Sequence, residues 1–182
     1  MRRLSALLLL LLGTAFAQNY YPDQAGLTWT YSSGETQQLS GPREIDGRQV
    51  MVLTHFFEGT PVSEDYLVYG SDVQSVGTAA SGQTLLYTPP LLVYAPSPLK
   101  VGMQWQSTTE VGGLDITLAS EVLGISGIET LAGRFNALQI RQRTLTSSGG
   151  QTVLDLYFVP GVGVVRFVTQ DNIVIDLIDK NF

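Results

Sequence analysis

Hydrophobic and polar residues alternate one by one along much of the chain. In "LDITLASEV" (Leu114–Val122), Leu114, Ile116, Leu118 and Val122 share one parity, while Asp115, Thr117 and Glu121 hold the other. That period of two is the signature of a half-buried strand. "MQWQSTTEV" (Met103–Val111) sets Met103, Trp105 and Val111 against Gln104, Gln106 and Glu110, and Gly112-Gly113 between the two segments predicts a tight hairpin turn. "LTWTYSS" (Leu27–Ser33) alternates Leu27, Trp29 and Tyr31 with Thr28, Thr30 and Ser32. Further strands are predicted at Arg48–Phe57, Asp65–Gly70, Phe135–Leu145, Thr152–Val159, Gly163–Thr169 and Asn172–Ile178. Ser147–Gly150, Pro160–Gly163 and Asp171-Asn172 supply turns. After the first 17 residues, no stretch sustains the i, i+3, i+4, i+7 apolar stripe of a helix, and Val, Ile, Thr and Tyr are frequent. The pattern predicts an all-β protein: a strongly curved antiparallel sheet or a partly open barrel.

The only two tryptophans stand in one shared frame, "PDQAGLTW" (Pro22–Trp29) and "PLKVGMQW" (Pro98–Trp105). Each octet leads into strands, an acidic-residue-plus-Gly turn, an apolar strand, an aromatic strand, and a Gly-rich turn with a Val-rich strand. This order predicts two duplicated meander repeats, the first over 18–87 and the second over 98–182, together forming one domain. Between them, 88–97 is expected to be an extended connector, because the surrounding "TPPLLVYAPSPL" holds four prolines that suit no central strand. Gly26, Trp29, Gly102, Trp105, Gly161 and Gly163 are assigned structural roles: glycine for turns or close approach, tryptophan for a large apolar ring on the inner face.

The chain opens with Arg2-Arg3, an apolar run Leu4–Leu12, and Ala15-Phe16-Ala17. These read as the n-region, h-region and cleavage site of a secretory signal peptide over 1–17, too short to span a bilayer. Removing it takes two of the ten basic residues and leaves eight against sixteen acidic ones. An acidic exported chain without a basic cluster is a poor partner for nucleic acid or an anionic membrane face. The chain has no cysteine, which excludes disulfides, thiolate metal sites, a cysteine nucleophile and a lipidated N-terminal cysteine.

The octet, "GRFNALQI" (Gly133–Ile140) and "LYFVPGVGVVR" (Leu156–Arg166) together resemble a broad set of uncharacterised bacterial secreted proteins and lipoproteins. In these a P-x-x-x-G-x-x-W opening precedes a G-x-F-x-A-L-x-I strand and a Y-F-x-P-G-V-G-x-V hairpin. The likeness covers most of Pro98–Val168, with a weaker copy in the first half. It implies an exported, strongly curved antiparallel sheet, reminiscent of half-barrel envelope proteins that carry lipoprotein or lipid. The lipoprotein members have a cysteine anchor, which this chain lacks.

Candidate chemistry is sparse. His55 is the only histidine, which excludes a metal centre built from several imidazoles, and its place near a strand end predicts a partly buried or surface side chain. For calcium, Asp171, Asp176, Asp179 and Glu64-Asp65 lack loop spacing, and Asp176 reads as a solvent-facing charge that blunts an edge. No G-x-S-x-G exists; Ser126 in "GISG" is a turn residue. Paired carboxylates among Glu58, Glu64 and Asp65 leave a secreted hydrolase as the third reading. No metal, cofactor or catalytic residue is assigned.

Binding is the better reading. Phe56, Phe57, Tyr66, Tyr69, Tyr87 and Tyr94 concentrate in the first half and the connector, where a curved sheet can hold an apolar mouth or cleft. The sequence thus predicts a non-catalytic envelope protein that binds an apolar small molecule, lipid or polypeptide. The alternative is a structural or assembly subunit of a cell-surface complex that docks an envelope protein.

Overall fold

The computed structural model describes residues 19–182; the signal peptide expected over 1–17 lies outside the described residues. Twelve strands run in chain order: β1 Thr28–Tyr31, β2 Glu35–Ile45, β3 Arg48–Phe57, β4 Thr60–Tyr69, β5 Val73–Ala80, β6 Gln83–Tyr94, β7 Gln104–Val111, β8 Leu114–Thr130, β9 Gly133–Thr146, β10 Gln151–Val159, β11 Gly163–Thr169 and β12 Val174–Lys180. Every strand pairs antiparallel with its sequence neighbours, and β1 pairs with β12 through Trp29↔Lys180, Thr30↔Asp179 and Tyr31↔Leu177. The result is an up-and-down meander closed into a barrel, with no helix among the described residues. Closure removes the free edges a curved sheet would expose. It also leaves a lumen, because twelve strands enclose more width than inward side chains fill in an eight-stranded barrel.

One end of the barrel is sealed. Strand directions bring the chain start, the 95–103 segment, the β10–β11 turn and the C-terminus to this end. Tyr21 donates its hydroxyl to the Ala95 carbonyl (2.6 Å), Leu99 N–H donates to the Tyr20 hydroxyl (2.9 Å), and Gly161 N–H donates to the Tyr20 carbonyl (2.9 Å). Behind these bonds, Tyr21, Leu99, Trp105 and Phe158 pack as part of one buried cluster. The β1–β2, β3–β4 and β5–β6 turns lie at the other end.

The two octets fold alike. Gly26 and Gly102 both adopt positive φ (94° and 85°), as the turn before each tryptophan strand requires. Gly26 N–H donates to Leu39 O and Leu39 N–H returns to Leu27 O; Gly102 N–H donates to Val122 O and Val122 N–H returns to Met103 O. Leu39 and Val122, each fully buried, are the inward residues that the two octets clamp. Each indole N–H then donates to a backbone carbonyl, Trp29 to Val162 (2.7 Å) and Trp105 to Val93 (3.2 Å). Duplication of a six-stranded unit would give such a correspondence.

Three expectations need correction. Ser126, expected in a turn, lies within β8, where it pairs with Ala137 on β9. Of the 88–97 connector, Thr88–Tyr94 is strand, the second part of β6. The prolines fit because they fall where ladder bonds are absent anyway. Against β5, the pairing jumps from Gly77↔Leu86 to Ser75↔Leu91, so Tyr87–Pro90 bulge past Val76. Against β7, the ladder holds the single pair Thr88↔Glu110, and the Ser107 hydroxyl accepts from Leu92 N–H (2.8 Å). Asp176 does not blunt an edge either: β12 has neighbours on both sides, and Asp176 accepts a two-pronged bond from Arg166 on β11.

Gly77 is indispensable to this bulge. A Cβ there would sit 2.5 Å from Leu85 O and 3.2 Å from the Leu86 Cα, and both contacts are backbone. Gly77→Ala is expected to lower stability by about 2–3 kcal/mol through overpacking, measured as a shift in the urea midpoint at unchanged slope.

Candidate functional site

Strand alternation sorts the first-half aromatics into two populations. On β3, Met51, Leu53 and His55 face the lumen, whereas Val50 and Val52 turn away into a separate buried cluster with Tyr66 and Val76. On β4, Asp65, Leu67 and Tyr69 face the lumen. The lumen holds a cavity of about 340 Å³, predominantly apolar, within the roughly 300–1,000 Å³ usual for small-molecule sites. Tyr21, Trp29 and Phe158 lie toward its sealed end, Leu53, Leu154 and Phe167 along its wall, and His55 with Asp65 toward the open end.

Of the six aromatics singled out from sequence, Tyr69, Tyr87 and Tyr94 line this cavity. Phe56, Phe57 and Tyr66 do not. Phe57 is half exposed at the rim, Phe56 takes the parity opposite to His55, and Tyr66 is buried on the other face beneath the Arg43 guanidinium, 5.1 Å from its ring centre. Of the structural set, Gly163 (φ 97°) lets β11 begin against Trp29: a Cβ there would meet the indole nitrogen at 3.3 Å. Gly161 also adopts positive φ in the same turn.

Five tyrosines line the cavity: Tyr21 and Tyr31 donate to the Ala95 and Val164 carbonyls, whereas the hydroxyls of Tyr69, Tyr87 and Tyr94 have no hydrogen-bond partner among the described residues. Burial pushes the phenols of Tyr69, Tyr94 and Tyr87 up, so all three are neutral donors and acceptors at ordinary pH. Tyr94 is fixed by its neighbours, stacked on Tyr21 (5.5 Å between centroids) and tilted against Phe158 (5.3 Å). These hydroxyls face the lumen and can pair with a ligand or with water there.

Toward the mouth, sequence reasoning missed a three-residue constellation. His55 places Nδ1 2.8 Å from Glu35 Oε1 and Nε2 3.0 Å from Asp65 Oδ2. The ring is partly buried, so desolvation pushes its pKa down. Hydrogen bonds to Asp65 and Glu35, and the charges of both, outweigh that and raise it to about 9. The bond from His55 in turn holds the Glu35 carboxyl below its usual range, against the opposing effect of burial. At neutral pH the group is an imidazolium pinned between two carboxylates. Gln37 Nε2 adds a bond to Glu35 Oε1 (2.9 Å). Glu35 escaped notice because "ETQQLS" shows no apolar alternation. Its inward residues include Gln37 and Glu35 themselves.

The other acidic candidates do not join this constellation. Glu64, adjacent to Asp65 on β4, takes the opposite face and pairs with Arg43. Glu58 sits in the β3–β4 turn at φ 50°. Among the described residues no group of three His, Cys, Asp or Glu has an arrangement that would hold a metal ion, and no helix is long and apolar enough to cross a membrane.

No protein-family model and no curated protein matches the chain. Two solved structures share its fold. One is a candidate lipoprotein from Parabacteroides distasonis, 14% identical, with a TM-score of 0.52 over 90% of this chain and 99% of its own. The other is a candidate exported protein with a YmcC-like fold from Bacteroides fragilis, 11% identical, with a TM-score of 0.51 over 91% of this chain and all of its own. At such identity the likeness establishes the fold alone.

Proposed function

We propose that this is a non-catalytic, exported protein that binds an amphipathic small molecule inside its barrel. The carrying observation is the aromatic-walled lumen with three unpartnered tyrosine hydroxyls. An apolar body would displace poorly hydrated space against Leu53, Leu154 and Phe167, and polar groups on the ligand would meet the phenols and the mouth. Export is supported by the N-terminal pattern and by two structural neighbours that are themselves a candidate lipoprotein and a candidate exported protein.

Binding without turnover fits the chemistry of the mouth. Both His55 nitrogens are committed to carboxylates, and an imidazolium with a pKa near 9 is a poor general base at neutral pH. Among the described residues no serine or threonine hydroxyl bonds to it, as an activated nucleophile would.

The test is native mass spectrometry of gently purified protein, together with fluorescence titration using N-phenyl-naphthylamine. A bound apolar molecule or saturable probe binding is expected. Leu154→Trp, which fills the cavity, is expected to weaken probe binding by at least about tenfold while the barrel still folds. Absence of both a resident ligand and probe binding would refute the proposal.

A specific observation favours the assembly reading in second place. The turns at the open end are flanked by exposed Phe57, Val62, Leu85, Leu86, Leu114 and Leu145. An apolar rim around a mouth suits contact with another envelope protein, whereas closure removes the edge strands that strand addition would need.

A further inference from the structure

We propose that the lumen selects amphiphiles by head-group charge, taking an alkylammonium head at the Glu35–His55–Asp65 end and rejecting carboxylate or phosphate heads. This rests on the reading of the lumen as a ligand site.

Among the residues that line the cavity, His55 and Asp65 are the only charged ones, and neither a lysine nor an arginine reaches it. Glu35 joins through His55, so one cation lies between two anions and the group carries a net negative charge. Arg43, Arg141 and Arg166 are paired outside the lumen, with Glu64, Asp155 and Asp176. An anionic head would enter with no counter-charge and against a like charge, which an interior penalises heavily.

Both His55 ring nitrogens already donate, so the imidazolium offers nothing further. Asp65 uses Oδ2 for His55, and Glu35 uses Oε1 for both His55 and Gln37. Asp65 Oδ1 and Glu35 Oε2 receive no donor from the described residues. The mouth therefore presents acceptors, and an ammonium presents three donors.

Tyr69, Tyr87 and Tyr94 face the same cavity as neutral phenols. Their ring faces attract a cation, and their unpartnered hydroxyls can accept from one. Tyr87 sits close enough to Asp65 for the carboxylate to bear on its phenol, so aromatic and acidic recognition elements adjoin. An aromatic wall closed by a carboxylate is the arrangement that ammonium recognition calls for, with an alkyl chain continuing toward Phe158 and Trp29.

The experiment is isothermal titration calorimetry of the purified protein at neutral pH, below micellar concentrations, with decylammonium, decanoate and butylammonium. Decylammonium is expected to bind at least about tenfold more tightly than decanoate, and Asp65→Asn with Glu35→Gln to reduce that preference to about threefold or less. Butylammonium, with the same charge and little chain, is expected to show no saturable binding. Equal binding of decylammonium and decanoate, or preference for decanoate, overturns the head-group inference while leaving the lumen as a ligand site. Butylammonium binding as tightly as decylammonium also overturns it, since the attraction would then be to the acidic surface. Binding of no probe overturns the inference together with the reading beneath it. The wild-type comparison decides the matter even if the double variant does not fold.

Discussion

Trp29→Ala is expected to lower the stability of the barrel by about 4 kcal/mol, and Trp105→Ala by about 3 kcal/mol. Both indoles are buried, at 5% and 9% exposure, and each closes part of the sealed end with ring and N–H together. Trp29 has the greater effect for three reasons. Its N–H bond to Val162 O is shorter (2.7 against 3.2 Å), its ring meets Phe182 edge-on at 5.5 Å, and it lies on the strand that closes the barrel against β12. Removing it enlarges a lumen that is already hollow, so little collapse can recover the loss. Trp29→Phe keeps much of the apolar volume but leaves the Val162 carbonyl without its donor, and about 1–2 kcal/mol is expected. Urea unfolding followed by far-ultraviolet circular dichroism measures all three. Losses below about 1 kcal/mol for both alanine variants would mean that the octets do not hold this end together.

The matched octets are legible in the sequence because their roles are local: glycine at positive φ, a clamp on the next strand, tryptophan two residues into its own. The half-buried strands are legible for the same reason. β3 and β11 have the boundaries that alternation predicts, and β7, β9 and β10 differ by one or two residues. β2 is not legible, since a strand with Gln37 and Glu35 on its inner face and polar residues outside has no hydrophobic period. Nor is β6, where Pro89 and Pro90 argue against a strand although the bulge asks no ladder bond of them.

The site is half legible. Three of the six aromatics line the cavity, but alternation alone forbids Phe56 with Phe57, or Tyr66 with Tyr69, from sharing one face of a regular strand. That constraint by itself splits each pair between the lumen and the outer face. What no local pattern supplies is the meeting of Glu35, His55 and Asp65, which lie on three successive strands. Their encounter depends on register: Gln37↔His55 on one side and His55↔Ser63 on the other, with a bulge between His55 and Phe56. Shifting one ladder by a residue would turn His55 out of the lumen.

That constellation sets the second large effect, a loss of stability on the alkaline side. The folded His55 pKa of about 9 lies above its ordinary 6.5. Its contribution is therefore complete below about pH 6.5 and is lost as pH rises through about 9. Glu35 acts with the opposite sign. Its depressed carboxyl contributes above the ordinary carboxylate range and loses that contribution as pH falls through the lowered value. The stabilisation from the pair is thus greatest between about pH 5 and 6.5. The carboxylates are about a third exposed, so solvent screens part of the interaction. A loss of roughly 2 kcal/mol between pH 6 and 9.5 is expected after that discount. Chemical denaturation across this range measures it, with His55→Gln as the control. The variant should be less stable at pH 6 and should lack most of the alkaline loss, because its uncharged side chain has no proton to give up. Parallel pH profiles for the two proteins would show that the imidazolium is not held by Glu35 and Asp65 in solution.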